Sequence, residues 1–148
     1  MTQRLDPTQH LHTAGLCRRN ALHVAQLAWT THPAVGFDLA GVRWLDRHIE
    51  KSRPHLPAGY LDEFVQLMGC FYGECILAAF GGQWMMSHDD RGHLGIETPG
   101  LGVTFPIRAV EAHVVDGAKW SVAVAYLTAT EYVGGLASLD ASVVEVAA

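Results

Sequence analysis

Two groups of residues have the types and spacing to do chemistry. The first is His88, Asp89, Asp90 and His93, two imidazoles and two carboxylates in one short stretch, which is donor chemistry suited to a divalent metal. The same stretch, His-Asp-Asp-Arg-Gly, also supplies what a hairpin turn needs, and neither an HExxH motif nor a Cys/His pairing accompanies it. The expectation is therefore no metal and no cofactor, with His88, Asp90 and His93 as the ligands if a metal binds. The second is Glu74, the one acid in the most apolar stretch of the chain, residues 67–84. A carboxylate on a buried helix either pairs with a cation or has its pKa raised by desolvation, the condition of a general base. Arg43, Arg108 and Lys119 are the cations expected to answer it, or backbone N–H groups beside the sheet, and a structural acid is the commoner outcome.

No other catalytic constellation emerges. Ser121 lacks the GxSxG setting of a hydrolase nucleophile, and Gly100-Leu101-Gly102 lacks the lysine of a phosphate loop. Cys17, Cys70 and Cys75 form an odd set without CxxC spacing, so they read as reduced core residues. On one helix Cys70 and Cys75 would sit roughly 140° apart, which argues against a bridge between them. Tryptophans at 29, 44, 84 and 120 can wall a pocket or anchor an interface. Trp84 and Trp120 follow patterned positions and are expected in the core, while Trp84 and Tyr72 are the aromatic residues that would line a ligand site. The remaining histidines, His113 among them, show no metal spacing and are expected on the surface or satisfied in the core.

The elements that must position these residues follow from periodicity and punctuation. Asp6-Pro7 opens a helix expected over residues 7–31, with Gly15 as a break, ended by His32-Pro33. Its many small residues let it lie close against another element. Asp38 caps a second helix over residues 39–52, with Val42, Leu45 and Ile49 inward and Asp46, Arg47, Glu50 and Lys51 outward; Glu50, Lys51 and Arg53 read as a solvated face. Two prolines, Pro54 and Pro57, form a loop. A third helix from about residue 57 is apolar around most of its circumference, so other elements pack around it. Gly69 and Gly73 leave a stripe where a neighbouring backbone can approach, and Gly81-Gly82 ends it.

Residues 83–87, 93–97 and 101–105 then alternate as three short strands of an antiparallel meander, with His88 to Gly92 at a hairpin tip. Pro106 opens a short helix or edge segment ended by Asp116-Gly117. From Ala118 a last helix places Val122, Tyr126, Ala129 and Val133 on one face before Gly134-Gly135, with a strand as the alternative. The tail, residues 136–148, is weakly patterned and expected to be mobile, or helical only when docked.

A chain of 148 residues that is 49% hydrophobic, with mean hydropathy +0.14, fits one domain with ample core. Its expected parts are an N-terminal helical arm (1–33), an α+β core (38–134) and the tail. Only 17% of residues are charged, below the usual quarter, so either the surface is less charged than average or part of it is covered by a partner, a hint of self-association. The net charge of −5 and the absence of a basic stripe argue against nucleic acid. The apolar run at residues 67–82 falls short of the about 20 residues of a membrane span, and the N-terminus has no apolar signal core, so the expectation is a cytoplasmic protein that meets no membrane.

The order Leu-Met-Gly-Cys-Phe-Tyr-Gly-Glu, then Gly-Gly-Gln-Trp leading into a strand, then Phe-Pro-Ile and an Asp-Gly turn resembles small bacterial domain-of-unknown-function families that share a Gly-x-x-x-Gly-Glu helix followed by Gly-x-Trp. The resemblance covers roughly residues 40–133. It implies an α+β fold and brings no activity or catalytic residues with it. The overall expectation is an α+β protein with a small three-stranded antiparallel meander packed against a central apolar helix and several further helices. The leading functional expectation is a non-enzymatic binding or protein-interaction module that self-associates as a homodimer. The alternatives are a small hydrolase or ligand-binding enzyme using Glu74 and the His88 to His93 cluster, and an immunity-type toxin inhibitor presenting an acidic patch.

Overall fold

A computed structural model describes residues 7–86 and 94–147, with side chains placed over residues 13–86 and 94–135. The expected hairpin tip, with His88, Asp89, Asp90 and His93, lies outside the described residues, as does Asp6. Five helices and one sheet follow in the order α1 (Pro7–Trp29), α2 (Leu39–Ser52), α3 (Leu61–Phe80), β1 (Gln83–Met86), β2 (Leu94–Thr98), β3 (Gly102–Thr104), α4 (Pro106–Asp116) and α5 (Val122–Ala147). The sheet is an antiparallel meander in the order β1-β2-β3. The α+β architecture and its central apolar helix match what periodicity implied.

Helix α1 runs through Gly15 without a break and packs against α3. Cys17, Ala21, Val24, Ala25 and Ala28 are buried, a stripe at three- and four-residue spacing that is narrow enough in side-chain volume for the two helices to lie close. Asp38 caps α2, its carboxylate accepting from the Gly41 N–H at 3.0 Å. Val42, Trp44, Leu45 and Ile49 then face inward.

Helix α3 is the axis. Eleven of its residues from Phe64 to Ile76 are buried, and α1, α4 and the sheet all pack on it. Together with the turn before it, Ala58–Phe80 is long and apolar enough to cross a membrane by length and composition, longer than the run read from sequence, and 61% of its most apolar window is buried within the protein. Two close approaches set its neighbours. A Cβ on Gly69 would lie 2.7 Å from the Ile107 Cα of α4, and one on Gly73 would lie 2.3 Å from two atoms of the Trp84 ring and 3.2 Å from Ile96. Trp84 and Ile96 are direct partners across β1 and β2, so they present one face of the sheet to the helix.

The two glycine pairs behave differently. Gly81 and Gly82 have φ of 73° and 112°, and Gly82 sits against the Glu97 carbonyl where a Cβ has no room, so the chain leaves the helix there. Gly134-Gly135, expected to end the last helix, do not. Neither has positive φ, a Cβ on either would meet nothing within 4 Å among the described residues, and α5 continues through them to Ala147. The tail is thus the second half of α5. That helix also starts later than expected, because Ala118–Trp120 forms a separate 3-10 turn.

The glycine contacts make a direct test. Gly69→Ala and Gly73→Ala should each lower the unfolding free energy by about 1–3 kcal/mol through overpacking. Gly15→Ala, where the new Cβ meets nothing within 4 Å, should raise it by about 0.5–1 kcal/mol through helix propensity. Urea midpoints at unchanged m separate the two classes.

Candidate functional site

Chemistry-bearing side chains gather at three places, and the richest is the α1–α3 interface. Glu74 is buried there and its carboxylate lies 3.8 Å from the Arg18 guanidinium of α1. The cation expected from Arg43, Arg108 or Lys119 is therefore Arg18, which α1 brings near when its small-residue stripe seats on α3. The Arg18 side chain is half exposed and its guanidinium stands 4.8 Å over the Phe37 ring, a cation–π contact that holds it along the surface. Burial pushes the Glu74 carboxyl above the usual carboxylate range, and Arg18 opposes that shift.

Cys17 and Cys70 meet in the same interface. Both are buried, and the Cys70 sulfur accepts from Asn20 Nδ2 at 3.9 Å. All three cysteines are buried and free. Burial pushes Cys75 up.

The second place is the junction of α2, α4 and α5, where Asp46, Glu50 and Arg53, expected to face solvent, meet His113, expected on the surface or satisfied in the core. His113 is fully buried, with Nε2 2.8 Å from Glu50 Oε1 and Nδ1 accepting from the Val122 N–H at 3.4 Å. Arg53 Nε donates to the Val114 carbonyl at 2.9 Å, and its guanidinium lies 3.5 Å from Glu50. Asp46 accepts from the Ser121 hydroxyl and from the Ala123 N–H at 3.1 Å. Ser121 Oγ in turn accepts from the Val124 N–H, so Ser121 is the N-cap of α5. Asp46, Glu50 and Arg53 are thus inward-turned contacts to α4 and α5, and only Arg47 and Lys51 of the expected outer face stay uncommitted to this junction.

Ser121, Asp46 and His113 lie together, yet they do not form a nucleophilic triad. The Ser121 proton goes to the carboxylate rather than to the imidazole, and the imidazole nitrogens are held by Glu50 and Val122. Glu50 and Asp46 also sit at different edges of the ring, so they do not converge on a common metal position. Among the described residues no group of three or more His, Cys, Asp or Glu side chains could hold a metal ion.

The third place is a groove between the end of α1 and α2, where Trp44 stacks on His48 with centroids 4.8 Å apart. Arg47, Lys51 and His32 complete its rim, and no carboxylate lines it. Burial, then the Lys51 charge, lowers the His48 pKa. Its volume is about 220 Å³, below the range of sites that enclose a drug-sized ligand, so it suits a small anion at most.

The aromatic residues expected at a ligand site lie in the core. The Tyr72 hydroxyl donates to the Val122 carbonyl at 3.4 Å. Trp84 packs on Gly73, and its Nε1 has no hydrogen-bond partner among the described residues. Neither lines the groove. Trp120, expected in the core, is 55% exposed, whereas Trp44 is buried. The sequence signal for the His113 junction was the i, i+4 pair Asp46 and Glu50 on one helix face, which reads identically for a solvated face and for a buried contact.

Glu74 titration can be read directly. A carboxyl raised in the folded state contributes stability that is complete below its unfolded pKa and lost as pH rises through its folded one. Glu74→Gln resembles the protonated acid and cannot ionise. It should therefore gain stability relative to the native protein as pH is raised from about 4 to 7, measured by urea unfolding across the series. The opposite slope would mean that the Arg18 pairing outweighs burial.

No protein-family model, no curated protein and no solved structure matches the chain, so what the site can do rests on this geometry.

Proposed function

We propose that the protein is a cytoplasmic, non-enzymatic interaction module that pairs with a second copy of itself through the outer face of α5. One observation carries this reading. Val124, Leu127 and Tyr132 on α5, with Trp120 in the turn before it, are all between about a third and two thirds exposed. Val124 and Leu127 are three residues apart and adjacent on the helix surface, and Tyr132 lies roughly 80° round from Val124 on its other side.

The polar groups among them do little to solvate that face. Thr128 and Thr130 turn their hydroxyls back to the Val124 and Leu127 carbonyls, each at 2.8 Å. Glu131 is the one charged residue in positions 122–133. Large apolar side chains alternating with Ala125 and Thr128 can interdigitate with an identical face about a two-fold axis. An exposed apolar row of this kind marks an interaction surface.

The catalytic reading has less support. Glu74 is enclosed between two helices and answered by Arg18, and it lines none of the described grooves. The toxin-inhibitor reading asks for an exposed acidic patch, and Asp38, Asp46 and Glu50 are spent on a helix cap and on the α4–α5 junction.

Sedimentation of the full chain should give a dimer mass that falls toward the monomer on dilution. Val124→Glu with Leu127→Glu places two charges on the face and should weaken association by at least about 100-fold, without changing the far-UV circular dichroism. A native protein that stays monomeric at every concentration rejects the homodimer, and a dimer unaffected by the double substitution moves the interface elsewhere.

A further inference from the structure

We propose that the groove between the end of α1 and α2 binds the dianionic group of a small phosphate monoester, held by Arg47 and Lys51 with the His48 imidazole beside them. The chain carries a net charge of −5, yet among the described residues no carboxylate lines this groove, while Arg47, His48, Lys51 and His32 all do. Positions 47 and 51 are neighbours one helical turn apart, so the two cations project from the same side of α2. The acids of that helix are turned elsewhere: Asp46 accepts from Ser121 and Ala123, and Glu50 from His113. Neither Arg47 nor Lys51 makes an ion pair among the described residues, and both are exposed, so their charge is open to a ligand.

The walls of the groove are set by packing. His48 stacks nearly parallel on Trp44, with 10° between the planes, and the Phe64 ring of α3 stands 6.0 Å away, so the imidazole is held in place before a ligand arrives. Burial and the Lys51 charge favour its neutral form, which offers one N–H donor. On the facing wall, the carbonyl end of α1 would repel an anion if its carbonyls were free. They are occupied: Leu27 and Ala28 accept from the Thr30, Thr31 and His32 N–H groups, and Leu27 also accepts from the Thr30 hydroxyl at 2.7 Å. Thr31 Oγ1 and His32 Nδ1 lie 2.9 Å apart, a contact that tethers the second imidazole at the rim.

Charge and size select the ligand. Two permanent cations match the two charges a phosphate monoester carries above its second pKa of about 6. The arginine fork takes two phosphate oxygens, and the lysine and imidazole donors remain for the third. A carboxylate has one charge and two oxygens, and leaves those donors unused. A volume of about 220 Å³ accepts a phosphate group with a short organic body against Leu27 and Trp44, and is below the range of sites that enclose larger ligands. The groove shares no residue with the exposed face of α5, so it stands apart from the proposed association surface.

Arg43 is the internal control. It is exposed on the same helix one turn before Arg47 and does not line the groove. The isotope-labelled full chain should be titrated in turn with glycerol phosphate, inorganic phosphate and acetate, at constant ionic strength and about pH 7.5, where the phosphates are mostly dianions. Backbone amide and tryptophan side-chain resonances are followed by NMR. Saturable shifts are expected at residues 30–32 and 47–51 and at the Trp44 indole, with a Kd for glycerol phosphate of about 1 mM or tighter. Inorganic phosphate should bind no more tightly than the ester, and acetate at least about 10-fold more weakly. Arg47→Ala should weaken glycerol phosphate binding by at least about 10-fold with the other resonances in place. Arg43→Ala, which removes the same charge, should change it by less than about 2-fold. Shifts that spread over the surface or stay unsaturated at about 20 mM glycerol phosphate, equal losses in the two arginine variants, acetate binding as tightly as the ester, or inorganic phosphate binding more tightly than the ester would each overturn the proposal.

Discussion

At Gly69 the Cα of Ile107 occupies the space a methyl group would need, and one turn on, at Gly73, the Trp84 ring does the same. These two contacts fix where α4 and the sheet sit on α3, because a side chain at either position would hold its neighbour away. A glycine inside a helix costs about 0.5–1 kcal/mol relative to alanine, and the packing of a buried Trp84 and Ile107 against bare backbone offsets it. With α4 and the sheet placed on these sides, α1 can seat its own small-residue stripe along α3 and bring Arg18 and Asn20 to Glu74 and Cys70. The polar contacts of the α1–α3 interface therefore follow from the shape of the central helix.

Much of this was legible as sequence. The apolar circumference of α3, the glycine spacing, the Asp38 cap, the three short strands and the late helices all leave local marks, and local marks are what periodicity and capping rules read. What stayed hidden was the choice among equivalent local patterns. Asp46 and Glu50 fit a solvated helix face as well as they fit a buried one, and only the arrival of His113 and Ser121 from positions far along the chain decides between them. Gly134-Gly135 look like Gly81-Gly82 in composition. They differ because a strand carbonyl presses on Gly82, and among the described residues nothing presses on Gly134 or Gly135.

The candidate site divides in the same way. Glu74 stood out because one acid in an apolar helix is a local anomaly, but its partner Arg18 lies on another helix and was not among the cations considered. The contact of Asn20 with Cys70, 50 positions along the chain, was equally out of reach. Trp120, expected in the core, stays exposed for a related reason. Trp120 lies on a turn between two helices, where the helical register that would have buried it does not apply.

The start of α5 has a further meaning. Its first turn is capped by its own Ser121 and by Asp46, which stands 75 positions earlier on α2. Part of the instruction to begin the last helix is therefore written in the first half of the chain and delivered only after the two halves meet. During synthesis α2 emerges long before α5 and must hold its carboxylate ready. A peptide cut out as α5 alone would carry its residues without their full starting signal, so this helix is not a portable unit, and no division of the chain between α2 and α5 leaves both pieces with their ends satisfied.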